Sequence, residues 1–353
     1  MKKTLQFITV VCTALIIGSA FAGQFKETNA NYVDQHIFPR TEAFAKEAFE
    51  FKETTIKACR LTGAQQQEML QKAFHEAVDA WQGIEHLRMG PLSDYDQMHR
   101  LQFWPDKRNK VSKALSNLQK KQEAGEHIDE QKIAFSSVAG QGFPIFERII
   151  YQDGEISAKQ CEILRAVASN IYSIAKSVHQ AWVDPEYGYG GEMKFTLAEN
   201  ELYTDELSVT ADLFTNLWSA LQWVEDNKIR SPLREDISKA KPRRMENWRS
   251  ARSFKNISID VAALKDSYET LLQSHVLDLA DGAQRDALIL DNLNAAATIS
   301  QELENVKEEG IKSEEIWNKM LDMAVHLKEA RGQLFAVAKE LSIPVGFNSL
   351  DGD

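Results

Sequence analysis

The spacing of apolar residues constrains this chain more than any other feature. From Ala64 to Arg88, the residues Leu70, Ala73, Phe74, Ala77, Trp81, Ile84 and Leu87 recur at steps of three and four, and Gly90-Pro91 stops the run. Those steps place all seven side chains on one face of a single helix. Ser157 to Trp182 repeats the pattern through Cys161, Leu164, Ala168, Ile171, Ala175, Val178 and Trp182, with Ser157 placed to cap the helix. A third stripe, Ile316, Met320, Met323, Leu327, Leu334, Ala338 and Leu341, opens at Ser313 and ends before Pro344. No alternating run reads as a strand. The expected class is all-α, with long antiparallel helices that each bury one stripe.

Two breaks organise these helices. "DPEYGYGGEMKF", Asp184 to Phe195, divides the chain into stretches of similar size, and "SKAKPRRMENWRSARSFKNIS" lies between helices further on. The helix ends "IEHLRMGPL" and "VEDNKIRSPL" faintly resemble each other across the first break. Two bundle-like halves are expected, 23–190 and 191–353, behind a leader at 1–22. In that leader Lys2 and Lys3 precede the apolar run Phe7 to Ile17, and Ala20-Phe21-Ala22 gives a small-x-small cleavage site. This is the layout of a cleaved secretory signal peptide, and the run is short for a spanning helix. Cys12 lacks the small residue expected before a lipidated cysteine. The expected location is therefore the periplasm or cell envelope.

Export bears on the cysteines and on charge. Cleavage leaves Cys59 and Cys161, each near a helix end, and one disulfide between them is expected in an oxidising compartment. The full chain carries a net charge of -11, and losing Lys2 and Lys3 leaves 39 basic against 52 acidic residues, or -13. Such a surface disfavours nucleic acid and anionic membrane as general partners.

The familiar catalytic and phosphate-binding motifs are missing: there is no H-E-x-x-H, C-x-x-C, glycine-rich phosphate loop or serine-nucleophile elbow. His75 and Asp79, four apart, share a helix face as metal ligands can, although a surface polar pair is the commoner meaning. "GFPIFERIIYQDGE", starting at Gly142, is more informative. Proline suits a first helical turn because its missing N–H has no intrahelical partner there. Gly142 permits a tight entry, and Glu147 follows about one turn in.

That segment resembles the signature of the imelysin-like family, secreted all-helical bacterial proteins linked to iron acquisition. The signature is G-x-H-x-x-E followed by an apolar helix. Gly142 and Glu147 match it, and Pro144 stands in place of the histidine, as in the branch that carries G-F-P. "IEHLRMGPL", "HRLQFWPDKR", "ENWRSARSFKNI" and "IPVGFNSLDGD" extend the resemblance over nearly the whole exported chain. "GEHIDE", Gly125 to Glu130, matches the signature letter for letter, but its spacer is charged and it reads as a loop entering a helix. His127 and Glu130 form a metal half-site only if further ligands converge on them.

The resemblance implies an iron- or metal-linked binding role and a ligand cleft between the halves. Glu147 either stabilises the positive end of its helix or faces that cleft to bind a cation or a ligand. A lone glutamate is a poor zinc site, whereas ferric iron accepts carboxylate oxygen. A hydrolytic zinc site needs about three protein ligands and an open water position, so the replaced histidine argues against peptidase chemistry and nominates no catalytic residue. Two basic segments stand out from the acidic background. One holds Arg100, Lys107, Arg108 and Lys110 around Phe103 and Trp104; the other runs from Lys239 to Lys255 and contains Trp248, Arg249 and Arg252. Arginine beside tryptophan suits a planar or carboxylate-bearing ligand, and internal ion pairing is the competing use. Read as helix, "NWRSARS" puts Arg249 and Arg252 on one face. The candidate ligand-binding set is thus Gly142, Pro144, Glu147, Arg100, Trp104, Trp248, Arg249 and Arg252. A metal-dependent hydrolase and an envelope scaffold engaging an outer-membrane transporter are the alternative functions.

Overall fold

The computed structural model describes residues 24–185, 188–195 and 202–345. The leader at 1–22 and the end of "IPVGFNSLDGD" lie outside the described residues. Every regular element among those described is helical. The longer ones are α1 (Lys26–Tyr32), α2 (Phe38–Ala58), α3 (Gly63–Glu85), α4 (Lys110–Glu123), α5 (Phe143–Ile150), α6 (Ala158–Val183), α7 (Glu206–Trp223), α8 (Ser253–Leu271), α9 (Gly282–Leu303) and α10 (Glu314–Glu340).

The three long stripes fold as their spacing demands. All seven residues of the first stripe are buried, six in α3 and Leu87 just past its end, as are the seven of α6. In the last stripe only Ile316 stays partly exposed. Burying each leucine, isoleucine or phenylalanine contributes roughly 1.5–3 kcal/mol. Ser157 accepts from Gln160 N–H while the Gln160 side chain accepts from Ser157 N–H, so two orphan amides of the first turn are satisfied reciprocally. Ser313 caps α10 through Ile316 N–H.

Helix α2 packs along α3 and α6, and α9 packs along α10 and α8. Where the two groups meet, α3 lies against α8. Helix α1 belongs by sequence to the first stretch yet packs on α7 and α8: Tyr32 Oη lies 2.7 Å from Ser267 Oγ, and Asn29 donates to the Glu206 carbonyl. The division at 190 falls within the short helix Tyr189–Lys194, and one contiguous apolar core runs through both groups.

Two wide helical turns, Val33–Ile37 and Val224–Arg230, aim buried polar side chains at the end of α3. His36 Nε2 lies 2.7 Å from His86 Nε2, and Lys228 Nζ lies 2.5 Å from Glu85 Oε2. An extra residue in a helical turn re-aims its side chain, which is one reason such turns recur where packing or function is special.

The disulfide is formed. Cys59 ends α2, Cys161 lies in the first turn of α6, and their Cα atoms are 5.6 Å apart. The bridge spans a sequence separation of 102 residues. Closing so long a loop restricts the unfolded chain by about 5 kcal/mol in the chain-entropy account. The Cys59→Ser, Cys161→Ser double variant is therefore expected to lose about 2–5 kcal/mol in urea unfolding. An unchanged midpoint would show that the bridge does not hold the fold.

Candidate functional site

The signature helix is set down on bare backbone. Gly142 precedes α5, and a Cβ built there lies 2.0 Å from the Leu101 carbonyl oxygen and 2.4 Å from that of Arg100. Glycine is needed for this close approach and not for its φ, which is -130°. Pro144 lies in the first turn of α5, and the helix then buries Phe143, Ile145, Phe146, Ile149 and Ile150. With those faces committed to the core, Pro144, Glu147 and Arg148 are left to line a hollow.

That hollow, about 280 Å³, lies where the two basic segments of the sequence meet. The first supplies Gln102 to Asp106, with Lys107 and Asn109; the second supplies Arg243, Arg244, Met245, Asn247, Trp248 and Arg249. Trp104 Nε1 donates to the Arg244 carbonyl at 3.2 Å, fastening one segment to the other. Trp104 also meets Trp223 edge-on, and Arg88 stacks over Trp223 at 4.0 Å.

Glu147 is 3% exposed, and its Oε1 accepts from Ser250 N–H (3.1 Å) and Ser250 Oγ–H (2.6 Å). Burial raises its carboxyl above the usual glutamate range, against the opposing pull of the Ser250 hydrogen bonds. Glu147 thus ties α5 to the second basic segment. Ser250 was not foreseen, and nothing in "NWRSARS" singles it out.

Five basic side chains line the hollow (Lys107, Arg148, Arg243, Arg244 and Arg249) against Asp106 and Glu147. Arg148 is engaged by Asp106 at 3.4 Å and by Ser112. Asp106 is further occupied in accepting the N–H groups of Lys110 and Val111 at the start of α4. Among the described residues, Lys107, Arg243, Arg244 and Arg249 form no ion pair within 4.0 Å. Arg249 stacks on Trp248 at 4.1 Å, and Arg243 approaches the same ring at 5.4 Å.

The other candidates lie elsewhere. Arg100 bonds Gln141 through Nε at 2.7 Å and lies outside the lining. Arg249 and Arg252 do not share a helix face. Asn247 and Ala251 both have positive φ (47° and 53°), so "NWRSARS" makes one tight 3-10 turn before α8 begins at Ser253. Arg252 is consequently turned inward, 1% exposed, and bonds Asp79 (2.6 Å), His75 and Asn256. His75 Nε2 meets Tyr151 Oη at 2.8 Å, so both ring nitrogens are engaged. Burial and then the Arg252 charge push His75 down to about 4, which keeps it neutral. His75 and Asp79 are therefore an anchor for Arg252, neither a metal pair nor a loose surface pair.

The "GEHIDE" decoy opens a short helix at Glu130, with Asp129 capping Lys132 N–H. His127 lies 2.5 Å from Glu162, and Glu130 accepts from Ser173. Those partners are eleven residues apart on α6, or about 16 Å along the helix, so His127 and Glu130 diverge. Among the described residues no group of three His, Cys, Asp or Glu is placed to hold a metal ion. The donors around Glu147 do not fit a resident metal either, since its neighbours are serine, asparagine and arginine.

Comparison with known proteins bears on the whole architecture. An imelysin-like protein of Psychrobacter arcticum 273-4 superposes with a TM-score of 0.76 at 16% identity, over 92% of this chain and 99% of that one. A protein named as a candidate iron-regulated protein A precursor, from Parabacteroides distasonis ATCC 8503, superposes with a TM-score of 0.73 at 16% identity, over 89% of this chain and 95% of that one. At such identity these likenesses show the fold. No curated protein matches the chain. The imelysin family model, by contrast, matches residues 37–331, most of the chain and all of the hollow, and the chain belongs to the imelysin family.

Proposed function

We propose that this protein is a binding protein of the cell envelope, accessory to iron acquisition, whose hollow takes a small carboxylate-bearing anion, including an iron chelate of that kind. The observation that carries the reading is the set of cations Lys107, Arg243, Arg244 and Arg249, none in an ion pair within 4.0 Å among the described residues, around the buried Glu147. Arginine forks bind carboxylates with paired, charge-assisted hydrogen bonds, and the tryptophan faces hold the guanidinium planes in place. A bare cation meets repulsion in the same hollow, so iron is the cargo of an anionic chelate here and not a ligand of Glu147 alone. Glu147, whose carboxyl burial raises above the usual glutamate range, lines the same hollow. The iron link is supported by the name of the Parabacteroides neighbour. The reading of residues 1–22 as an export signal supports an envelope location, and among the described residues no helix is long and apolar enough to cross a membrane.

Calorimetric titration of the mature protein with citrate, ferric citrate and zinc tests this reading. Citrate is expected to bind, and Arg249→Ala is expected to weaken it by about 10- to 30-fold, the value of one lost charge-assisted contact. Glu147→Ala should leave zinc behaviour unchanged. Zinc binding that disappears in Glu147→Ala, with no citrate binding by either protein, would replace the anion reading with a metal site.

A further inference from the structure

A second basic hollow adjoins the first, about 450 Å³ in volume, lined by Ala240, Lys241, Pro242, Arg243, Arg244, Glu309 and Lys312. Arg243 and Arg244 line both. They stand on the tight turn Pro242–Arg244, and the turn is built in. Pro242, Ala240 and Met245 are buried, while Lys241, Arg243 and Arg244 face solvent. Lys241 N–H donates to the Pro232 carbonyl at 2.8 Å, and Trp104 holds the Arg244 carbonyl from the other side. The turn packs against the 3-10 segment Glu308–Lys312, whose Glu308 is fixed by Ser253.

The charges along this turn divide in a way that packing does not require. Of the seven basic residues from Lys239 to Lys255, Arg252 and Lys255 are consumed by Asp79, and Lys239 lies 3.9 Å from Glu235. Lys241, Arg243, Arg244 and Arg249 have no ion pair among the described residues, in a chain with acidic residues in excess. Four like charges held on two adjoining turns repel each other, and an anion that spans them relieves the repulsion.

We infer that the two hollows form one bipartite site for an extended oligoanion, in which Arg243 and Arg244 are shared and Lys241 with Lys312 bind the distal charge. This rests on the proposed anion-binding role of the first hollow and adds the length and charge of its ligand. A single carboxylate or phosphate fills only the Arg249 side. A chain of carboxylates or of phosphates reaches over the arginine ridge to the second hollow.

The test is calorimetry at fixed ionic strength on the mature protein, because exposed charges are screened by salt. The probes are N-acetylglutamate and inorganic phosphate as single-headed anions, and tetraglutamate and tripolyphosphate as extended ones. Lys241→Ala, Lys312→Ala is expected to weaken an extended probe about tenfold and the single-headed probes less than twofold. Lys120→Ala, Lys121→Ala, the same charge change at the far end of α4, should leave all four alone. Loss for tetraglutamate only assigns a polycarboxylate, and loss for tripolyphosphate only assigns an oligophosphate. Equal binding of both extended probes by wild type and the Lys241/Lys312 variant overturns the bipartite site. In that outcome, weakened N-acetylglutamate binding by Arg249→Ala would still uphold the first hollow. If no probe binds at all, both readings fall together.

Discussion

Lys228→Met is expected to destabilise the protein by about 3–5 kcal/mol, a large share of the stability of a typical domain. The Lys228 ammonium is 2% exposed and lies within 3.0 Å of three carboxylates, Glu85 (2.5 Å), Asp260 (2.7 Å) and Glu246 (3.0 Å). Gln82 Oε1 accepts from it at 2.7 Å. Three acids face two cations, since Arg88 also lies 3.9 Å from Glu85, and the acids titrate differently. Burial pushes Asp260 well above the aspartate range and raises Glu85. Glu246 is buried too, but the Lys228 charge and the hydrogen bonds from Gln102 and Asn256 outweigh that and lower it. Lys228 and Glu246 are therefore the principal ion pair of the cluster, with Arg88 beside Glu85. Removing the ammonium takes away the cation in direct contact with the buried Glu246 carboxylate, and folding then favours its protonated form.

The sign of the pH effect follows. In the variant the folded-state affinity of Glu246 for a proton exceeds that of the unfolded chain, so folding binds a proton and stability falls as pH rises. The gap between Lys228→Met and wild type should widen from pH 5 to pH 8 in urea unfolding. Lys228→Met, Glu246→Gln should recover roughly half of the loss, because the amide needs no counter-charge but its one oxygen keeps only one of the bonds donated by Gln102 and Asn256. A gap that is the same at both pH values would place the damage in packing and not in charge. The cluster also backs the candidate site, since Gln102 and Asn247 line the hollow while Gln102 donates to Glu246 at 2.7 Å. Partial unfolding of Lys228→Met should therefore be accompanied by weaker citrate binding.

This cluster shows where sequence reading stops. Stripes are legible because burial of one helix face is a local periodic property, and α3, α6 and α10 follow theirs closely. A carboxylate on such a stripe is legible as well, had it been sought: Glu85 is four residues after Trp81, and Asp260 falls between Ile257 and Val261 on the buried side of α8. What no local pattern gives is the partner, because Lys228 is 143 residues from Glu85 and sits on a turn widened by one residue. The basic segments were visible as composition, and Glu147 as an acid at the head of an apolar helix. That they surround one hollow depends on α3 packing against α8. The error at "NWRSARS" has a different cause: alanine favours helix, so nothing announces the positive φ of Ala251 that turns Arg252 inward.

Gly142→Ala is expected to cost about 2–3 kcal/mol and to weaken anion binding in the remaining folded protein. The new methyl group would overlap the carbonyl oxygens of Leu101 and Arg100, and these are backbone atoms that no rotamer change can withdraw. Relief requires α5 to move away from the segment 100–101, and Gln102 to Trp104, the next residues along, form one wall of the hollow. The same movement pulls Glu147 from Ser250 and Arg148 from Ser112. Gly332→Ala provides the contrast. Gly332 is inside α10, its added Cβ meets nothing within 4 Å, and its φ is not positive, so alanine there should stabilise by about 0.5–1 kcal/mol through lower unfolded-chain entropy. Thermal unfolding of both variants, with citrate titration of each, separates the two cases. A Gly142→Ala protein as stable as wild type would mean that α5 can shift freely against residues 100–101. Normal stability with tenfold weaker citrate binding would instead show that the contact positions the hollow without holding the fold. Only a loss of both ties the glycine of the signature to stability and binding through one backbone contact.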